Sequence, residues 1–426
     1  MTLNGSGGHV TLAMSGNTVS LSSGTVTLGA ANQAAISGNS DVITGTTGDT
    51  LTLTGAADTV TLSSGSVILG DSSTVTVTGI GNRIAGGSGD ALTLSGNNNT
   101  ASLSNGTVTM AAALTATLIG SSDSVTVGSN DSLILNGSSN VVTASGIGDR
   151  LTILGIDDTA TLTSGTVTLG DNSQVSVFGS SDVLTSSGTG DTLTVLGQYA
   201  TISLNNGTIS LPDTYVTAKT ATIIGSNDTI TALGNATLTI SGTSDNLTIT
   251  GNSANVTVKA SSDTVGVSNG AVTLANAVQT TVTGNNDSIT GGSGDTLTLN
   301  GTSDSLSLSN GTVLLGNGSS GSIAGNTDTL QFGQGIAIDQ LWFAQQGNNL
   351  DVSVIGTTES MVVQNWYSTP HTGWAFKTQD GHALANTQVA NLVSAMASLS
   401  QPALGETTLP ALEATQLEPV ITANWH

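Results

Sequence analysis

Residues 45–69 read GTTGDTLTLTGAADTVTLSSGSVIL, and they decide the fold. Threonine or serine alternates with leucine, valine or isoleucine, so each run predicts a short strand with one buried face. Glycine and aspartate separate the runs, and both residue types favour tight turns. Strands this short cannot bury a core alone. The stretch therefore predicts a stack in which the strands of successive coils pair with each other.

The pattern repeats along most of the chain. A motif of Ser/Asn-Gly followed by a strand such as TVTL recurs seven times, with its glycines at Gly24, Gly65, Gly106, Gly165, Gly207, Gly270 and Gly311. Their spacings are 41, 41, 59, 42, 63 and 41 residues, so the two long spacings exceed 41 by 18 and 22. Each excess predicts one added coil, and hence coils of about 18–22 residues with two or three strands. A 41-residue unit holds about five strand-like runs, which leaves a two-sided roll and a three-sided prism open.

Residues 1–328 are therefore predicted to form an all-β solenoid, a parallel β-roll or β-helix. The alternative is a β-sandwich, whose core is more varied and normally includes aromatic side chains. Before residue 328 the aromatic residues are Phe178, Tyr199 and Tyr215 alone. A thin core of small aliphatic side chains favours the solenoid.

The composition excludes several classes of function. The net charge is −23 with 5 Lys and Arg residues, so nucleic acid is a poor partner. No window approaches 18 consecutive apolar residues, which predicts no transmembrane helix. Cysteine is absent, which removes disulfides and thiolate chemistry. The N-terminus MTLNGSGGHVTL has neither the basic nor the apolar region of a cleaved signal peptide.

The composition changes near residue 329. Residues 329–400 predict a small β-rich domain with one helix at 386–399, where Val389, Leu392, Val393 and Met396 share one face. Such a domain would cap the last coil, which otherwise exposes unpaired backbone. The alternative is that its aromatic side chains bind glycan. Residues 401–426 contain three prolines and are predicted to be loosely ordered.

The C-terminal motifs resemble a known family. DTLQFGQGIAIDQLWF, NNLDVSVIG, VVQNWYS, FKTQDG, VANLVSAMASL and the ending VITANWH resemble, in this order, the C-terminal region of RTX (repeats-in-toxin, haemolysin-type calcium-binding) proteins. The resemblance covers residues 325–426. It implies a Gram-negative bacterium, an extracellular or cell-surface location, calcium-assisted folding, and export by a type I system that recognises an uncleaved signal in residues 401–426.

The resemblance also implies a set of calcium ligands. The family nonapeptide is G-G-x-G-x-D-x-φ-x, where φ is apolar, and its nearest matches here are GGSGD at 86–90 and 291–295. The carried-over ligands are Asp90 and Asp295, then Asp49, Asp149 and Asp191 in the shorter matches. Each match lacks the residue between the last glycine and the aspartate, which moves the carboxylate. The alternative is that these aspartates only form turns with their own backbone.

No catalytic motif is recognisable, so the chain is predicted not to be an enzyme. The four His residues form no HExxH pair, and there is neither a P-loop nor a G-x-S-x-G elbow. The favoured function is a structural, surface or adhesin-like exported protein with cell-surface or matrix glycan as a partner. One alternative is an ice-binding solenoid that uses its T-x-T strings. A second is a polysaccharide-active β-helix enzyme. The first coil has no evident cap, which predicts self-association through its edge.

Overall fold

The computed structural model describes residues 2–212, 219–325 and 327–426. The chain forms two compact units, Met1–Ser210 and Leu211–His426. Nearly all regular structure in both units is β-strand, and most strands have four to seven residues.

The first unit begins with twelve strands. They are β1 Thr2–Ser6, β2 His9–Leu12, β3 Asn17–Ser22, β4 Thr25–Leu28, β5 Gln33–Ser37, β6 Val42–Thr44, β7 Thr50–Thr54, β8 Asp58–Thr61, β9 Ser66–Leu69, β10 Thr74–Thr78, β11 Arg83–Ser88 and β12 Ala91–Leu94. The next fourteen are β13 Asn99–Ser104, β14 Thr107–Met110, β15 Thr115–Ser121, β16 Ser124–Val127, β17 Ser132–Asn136, β18 Val141–Ala144, β19 Arg150–Ile153, β20 Asp158–Thr163, β21 Thr166–Leu169, β22 Gln174–Ser180, β23 Val183–Ser186, β24 Thr192–Val195, β25 Ala200–Ser203 and β26 Thr208–Leu211, which crosses the unit boundary.

The second unit continues the same pattern and ends with two helices. Its repetitive strands are β27 Thr220–Ile223, β28 Thr229–Leu233, β29 Thr237–Ile240, β30 Asn246–Asn252, β31 Asn255–Val258, β32 Asp263–Ser268, β33 Ala271–Leu274, β34 Gln279–Asn285, β35 Ser288–Ser293, β36 Thr296–Thr302, β37 Asp304–Ser309, β38 Thr312–Leu315, β39 Ser320–Ala324 and β40 Thr329–Phe332. The remaining elements are the 3-10 turns Ile338–Gln340 and Asn386–Gln388, β41 Leu341–Gln346, β42 Asn349–Val354, β43 Ser360–Val363, β44 Ala375–Lys377, β45 Ala383–Ala385, α1 Val389–Met396 and α2 Ala411–Asn424.

Within each unit, strands pair in parallel with the second strand along the chain, as β8 does with β10 and β9 with β11. Within each unit, the odd-numbered strands among β1–β40 form one sheet, the odd sheet, and the even-numbered strands form the other, the even sheet. Each coil therefore contributes one strand to each sheet, which makes the coil two-sided. Paired residues such as Leu51 and Val67, or Leu135 and Ile153, lie 16 to 18 positions apart. The all-β solenoid is confirmed, and its coils are shorter than the predicted 18–22 residues.

The 41-residue repeat corresponds to two and a half coils. Gly24 precedes β4, Gly65 precedes β9 and Gly106 precedes β14, so successive motifs are five strands apart and alternate between the even and odd sheets. From Gly106 to Gly165 there are seven strands, so the 18 extra residues are one added coil, as predicted. The spacing with 22 extra residues spans 213–218, which lie outside the described residues.

The core of each unit is a thin layer of aliphatic side chains between the two sheets. In the strand TLTLT of β7, Leu51 and Leu53 are buried while the threonines face outward. The same alternation recurs in most strands, because successive side chains of a strand point to opposite faces. Valine, leucine, isoleucine and alanine therefore fill the core, and threonine and serine cover both outer faces.

The aromatic-rich region continues the coils of the second unit and then covers them. Strand β43 pairs in parallel with β39, and β44 pairs in parallel with β40. The strands beyond them are antiparallel: β42 and β41 follow β43, and β45 follows β44. Helix α1 packs on β41, and the backbones of Ala383 and His426 exchange hydrogen bonds of 2.7 and 3.0 Å. This arrangement is the predicted small β-rich cap.

The C-terminal tail differs from its prediction. Residues 401–426, expected to be loosely ordered, contain α2, so the cap has two helices where one was predicted. Leu417, Ile421 and Trp425 are buried. Pro410 caps the start of α2 and Pro419 lies within it, so the prolines that indicated disorder do not prevent the helix. In the described part of the chain, no helix is long and apolar enough to cross a membrane.

Candidate functional site

The most regular polar feature lies inside the coils. The residue at or just before the start of most strands is a buried Asp or Asn, and these residues stack from coil to coil. The even column, at the even sheet, contains Asp41, Asp58, Asp90, Asp123, Asn140, Asp158 and Asp191 in the first unit, and Asp228, Asp245, Asp263, Asp295 and Asp328 in the second. The odd column contains Asn32, Asp49, Asn82, Asn99, Asp131, Asp149 and Asp182 in the first unit, and Asp287 and Asp304 in the second. None of these side chains is more than 3% exposed.

One side-chain oxygen of most column residues has a clear structural role. Oδ1 of Asp41 accepts a 2.9 Å hydrogen bond from the Gly24 N–H, and Oδ1 of Asp58 accepts one of 2.9 Å from the Asp41 N–H. The donor is thus the residue one coil earlier, at the corner where the chain turns into the next strand. An unpaired backbone N–H would be costly at this buried position. Most column residues therefore satisfy a backbone N–H group at the corner one coil earlier.

The residue before each column position explains the sequence pattern. Ser40, Ser122, Asn227 and Ser244 have φ between 59° and 63°, the left-handed region. In GxGD turns the same position is glycine, such as Gly89 with φ 77°. Glycine and asparagine adopt this conformation at low cost. The G-x-x-D and G-x-x-N strings are therefore corners, each with a left-handed residue followed by an inward side chain.

The second oxygen divides the aspartates into two groups. In the turns GTTGD (45–49) and GGSGD (86–90), Oδ2 of Asp49 accepts the Thr46 N–H at 2.6 Å, and Oδ2 of Asp90 accepts the Gly87 N–H at 2.7 Å. In a second group Oδ2 has no hydrogen-bond partner within the described residues; its members are Asp41, Asp123, Asp149, Asp158, Asp245, Asp263, Asp287, Asp295, Asp304 and Asp328. A buried carboxylate oxygen without a donor is expensive when charged.

Burial changes the acidity of the column aspartates. It raises the pKa of Asp182, Asp263 and Asp287 to about 6, and the hydrogen bonds that each accepts from the backbone only partly offset it. Burial also raises the pKa of Asp245 to about 7, with further increases from the neighbouring charges of Asp228 and Asp263. Desolvation disfavours the charged form. These four column aspartates are therefore weaker acids than an ordinary aspartate.

Asparagine occupies the same position in the columns but uses its second side-chain atom as a hydrogen-bond donor. Nδ2 of Asn82 donates to the Leu62 carbonyl at 2.7 Å, and Nδ2 of Asn140 donates to the Gly120 carbonyl at 3.2 Å. In each case the acceptor is the carbonyl 20 residues earlier. The position that holds Oδ2 in an aspartate therefore holds a donor in asparagine, opposite a backbone carbonyl.

The five aspartates carried over from the family nonapeptide all lie in these columns. Asp90, Asp191 and Asp295 belong to the even column, and Asp49 and Asp149 to the odd column. The structure does not bring the five together. In the next coil each faces a glycine of the repeated motif, as Asp90 faces Gly106 and Asp295 faces Gly311.

Most carboxylate oxygens of these five are engaged within the columns. Both oxygens of Asp49, Asp90 and Asp191 already accept hydrogen bonds, and Asp149 and Asp295 each use Oδ1 for a backbone N–H. Calcium requires six to eight oxygens. Across the described ranges, no three His, Asp or Glu side chains form a group that could hold a metal ion. Calcium binding stays a prediction that rests on the resemblance.

The aromatic side chains of the cap are largely core. Phe332, Trp374 and Phe376 are at most 1% exposed, and Nε1 of Trp374 donates to the Gly325 carbonyl at 2.9 Å. Trp366 is half-buried and stacks on His371, with 4.8 Å between ring centroids. Most of these rings therefore stabilise the cap. Binding of glycan by the remaining aromatic surface stays a prediction.

The outer face of the first unit carries an ordered row of hydroxyl groups. Residues on adjacent strands of the even sheet pair in sequence, from Thr59 in β8 to Thr161 in β20. The threonine row consists of Thr59, Thr76, Thr93, Thr109, Thr126, Thr143 and Thr161. Val42 and Phe178 bound it. The T-x-T strings are visible in the sequence, but the threonines that share a row are defined only by the pairing of the strands.

A comparison with protein families gives one match. A family model described as a protein of unknown function (DUF3060) matches residues 66–113. The matched segment runs from β9 through β14 and includes the column residues Asn82, Asp90 and Asn99. It covers a small part of the chain, and it coincides with the coil architecture described above.

Proposed function

We propose that this chain is an exported, non-enzymatic structural or adhesin-like protein that acts at the surface of a Gram-negative bacterium. The observation that supports this function best is the outer face of each unit, where threonine and serine repeat at the spacing of adjacent strands. In the second unit Thr222, Thr239, Thr257, Thr273 and Thr290 form a comparable row on the odd sheet. Such a surface offers the same weak contact many times.

A repeated surface suits a repeated ligand. Neighbouring strands lie about 4.8 Å apart, so the hydroxyl groups of a row repeat at that interval. Individually weak contacts become strong when many form together. The surface glycan of a cell or matrix presents repeated hydroxyl groups of this kind. Glycan is therefore the partner that we favour.

Binding to washed Gram-negative cells tests the adhesive function. We expect purified protein to sediment with the cells, and the triple variant with Lys at Thr109, Thr126 and Thr143 to lose most of this binding. The matched control places Lys at Thr152, Thr168 and Thr185, which form a row on the odd sheet of the same unit. Equal binding by the two variants would contradict a role for the threonine row. No sedimentation of the unmodified protein would contradict the adhesive function itself.

Export rests on the resemblance of residues 325–426 and has its own test. Expressed in a Gram-negative host that carries a type I exporter, the intact chain should accumulate in the medium without loss of N-terminal residues. A chain that lacks residues 401–426 is the control and should remain in the cells. Retention of both chains would contradict type I export.

Ice binding is the second candidate function, and the unbroken threonine row of the first unit favours it. Regular hydroxyl and methyl groups on one face can match a regular lattice. Thermal hysteresis at millimolar protein would support this function, and the Thr109, Thr126 and Thr143 variant should abolish it. Its absence from the unmodified protein would eliminate the candidate.

Self-association through the first coil is a further proposal. Strands β1 and β2 pair with β3 and β4 on one side, and no other described strand pairs with them. Light scattering at rising protein concentration should show a growing mass. A mass that stays monomeric would contradict edge pairing.

A further inference from the structure

The even column of the second unit contains three successive carboxyl groups. Asp228, Asp245 and Asp263 occupy consecutive coils; the Asp228 N–H donates to Oδ1 of Asp245 at 2.9 Å, and the Asp245 N–H donates to Oδ1 of Asp263 at 2.9 Å. All three are at most 2% exposed. The titratable groups that face Asp245 are thus Asp228 and Asp263, one in the coil on either side. Three adjacent negative charges in this setting would repel each other.

The surroundings of Oδ2 of Asp245 are the decisive observation. A Cβ atom placed on Gly242 would lie 1.3 Å from the Gly225 carbonyl oxygen and 2.7 Å from Oδ2 of Asp245. The two oxygens are therefore no more than about 4 Å apart. Among the described residues, this Oδ2 has no hydrogen-bond donor. Two acceptors consequently face each other in a buried place.

The asparagines of the columns show what this place requires. Gly225 lies 20 residues before Asp245, as Gly120 lies 20 residues before Asn140. In the Asn140 coil, an amide nitrogen donates to that carbonyl. An aspartate has the same shape and can donate from the same position only when it carries a proton.

The same geometry recurs at other column aspartates. At Asp41 and Asp287, a Cβ atom on the glycine three residues earlier would lie 1.4 Å from the carbonyl oxygen 20 residues before the aspartate and 2.8 Å from its Oδ2. Both Oδ2 atoms are without a donor in the described part of the chain. The arrangement is therefore a repeated property of the coils.

We propose that Asp245, and with it Asp41 and Asp287, are proton-binding sites: each is a neutral carboxylic acid that donates from Oδ2 to the carbonyl 20 residues earlier. Folding then takes up protons from solvent at the column positions. Each proton takes the part that Nδ2 plays in Asn82 and Asn140. The raised pKa of Asp245, about 7, agrees with this assignment.

The pH dependence of stability follows from the direction of the shift. A carboxyl whose pKa is raised in the folded state binds more protons when folded than when unfolded, between its ordinary pKa of 3.8 and its raised value. The free energy of unfolding therefore decreases as pH rises through this window. For Asp245 the window extends from about pH 4 to about pH 7. The melting temperature should be highest near the acid end of the window and should fall towards pH 8.

Two reciprocal variants test the proposal on the full chain. Asp245→Asn supplies the donor permanently, so it should raise the melting temperature at pH 8 by about 2 °C or more and reduce its decrease between pH 5 and pH 8. Asn140→Asp creates a carboxyl between Asp123 and Asp158, so it should steepen that decrease. Asp71→Asn, which removes an exposed carboxylate, is the control and should leave the pH dependence unchanged.

A direct measurement completes the test. Infrared difference spectra at pH 6 should show the C=O band of protonated carboxyl groups in the folded protein, reduced in Asp245→Asn and lost on unfolding. Absence of that band, or an unchanged pH dependence in both Asp245→Asn and Asn140→Asp, would overturn the proposal. So would a gain in stability at pH 8 on addition of calcium alone that matches the gain on acidification, because a metal ion would then occupy the place assigned to the proton.

Discussion

The backbone N–H of Asp123 donates a 2.9 Å hydrogen bond to Oδ1 of Asn140, one coil further along the even column. The next bond of the column runs from the Asn140 N–H to Oδ1 of Asp158 at 2.8 Å. Aspartate and asparagine thus accept the same kind of hydrogen bond, from the backbone N–H of the column residue one coil earlier. The column depends on the shape of the side chain and on one acceptor oxygen, which both residue types provide.

Removal of that acceptor should be costly. Asn140→Ala leaves the buried Asp123 N–H without a partner, so the free energy of unfolding should decrease by about 1–3 kcal/mol. Chemical denaturation at fixed pH measures this change. Asn317→Ala, at an exposed turn, is the control and should stay within about 0.5 kcal/mol of the unmodified protein. A similar small effect at Asn140 would show that the column bond does not stabilise the coil.

Chelation of calcium should leave the coils intact. Of the five aspartates that the resemblance designates as ligands, Asp49, Asp90 and Asp191 already use both carboxylate oxygens within the columns, and Asp149 and Asp295 each use Oδ1. We therefore expect the same far-UV circular dichroism and melting temperature in EGTA and in millimolar calcium. A higher melting temperature in calcium that is absent from Asp90→Asn would contradict this expectation and support the family site.

The repeated motif requires glycine at this position for a steric reason. A Cβ atom on Gly65 would lie 2.5 Å from Cδ2 of Leu62 and 2.8 Å from the Asp49 carbonyl oxygen. Gly65→Ala must displace the buried Leu62 side chain, and overpacking of this kind costs about 1–3 kcal/mol. Gly5→Ala, where a Cβ atom would meet nothing within 4 Å, is the matched control. Equal melting temperatures for the two variants would contradict the steric account.

The cap should depend on Trp374. Its ring is 1% exposed and its Nε1 bonds the Gly325 carbonyl. Trp374→Phe loses that bond, at about 1 kcal/mol, whereas Trp374→Ala loses the ring as well, at about 3–5 kcal/mol. Tryptophan fluorescence and denaturation midpoints compare the two variants. If Trp374→Phe were as destabilising as Trp374→Ala, the hydrogen bond would be the dominant contribution instead of the ring.

The sequence patterns predicted the solenoid architecture. They did not predict that the aspartates of the corners point inward and are buried. Period-two alternation and coil-sized insertions indicate a solenoid because both follow from local geometry. The inward direction of Asp58 or Asp245 is not visible in that pattern, since an aspartate in a turn is ordinarily exposed. One signal could have shown it: Asp and Asn replace each other at the same corner, as at Asp123, Asn140 and Asp158, and Asn is a poor substitute for a calcium-binding carboxylate.

The structure also resolves why the repeat did not divide into whole coils. The 41-residue spacing counts five strands, and a two-sided coil contains two. The five runs are visible in the sequence, but their assignment to alternate sheets, which makes successive units begin on opposite sheets, depends on the pairing between coils. Helix α2 was missed for a different reason, because its burial depends on contacts of Leu417 and Ile421 that local propensity does not encode.

Because a 41-residue unit contains two and a half coils, only some insertions and deletions of repeats keep each strand on its own sheet. Loss of one 41-residue unit by recombination between the segments at Gly24 and Gly65 would place a strand of the odd sheet where one of the even sheet belongs. Every later coil of that unit would then exchange its two outer faces, and the remaining threonine row, from Thr76 to Thr161, would move to the side opposite the even sheet of the first coils. Loss or gain of two units, or of a single coil, keeps each face intact. The one-coil insertion between Gly106 and Gly165 is a length change of the permitted kind.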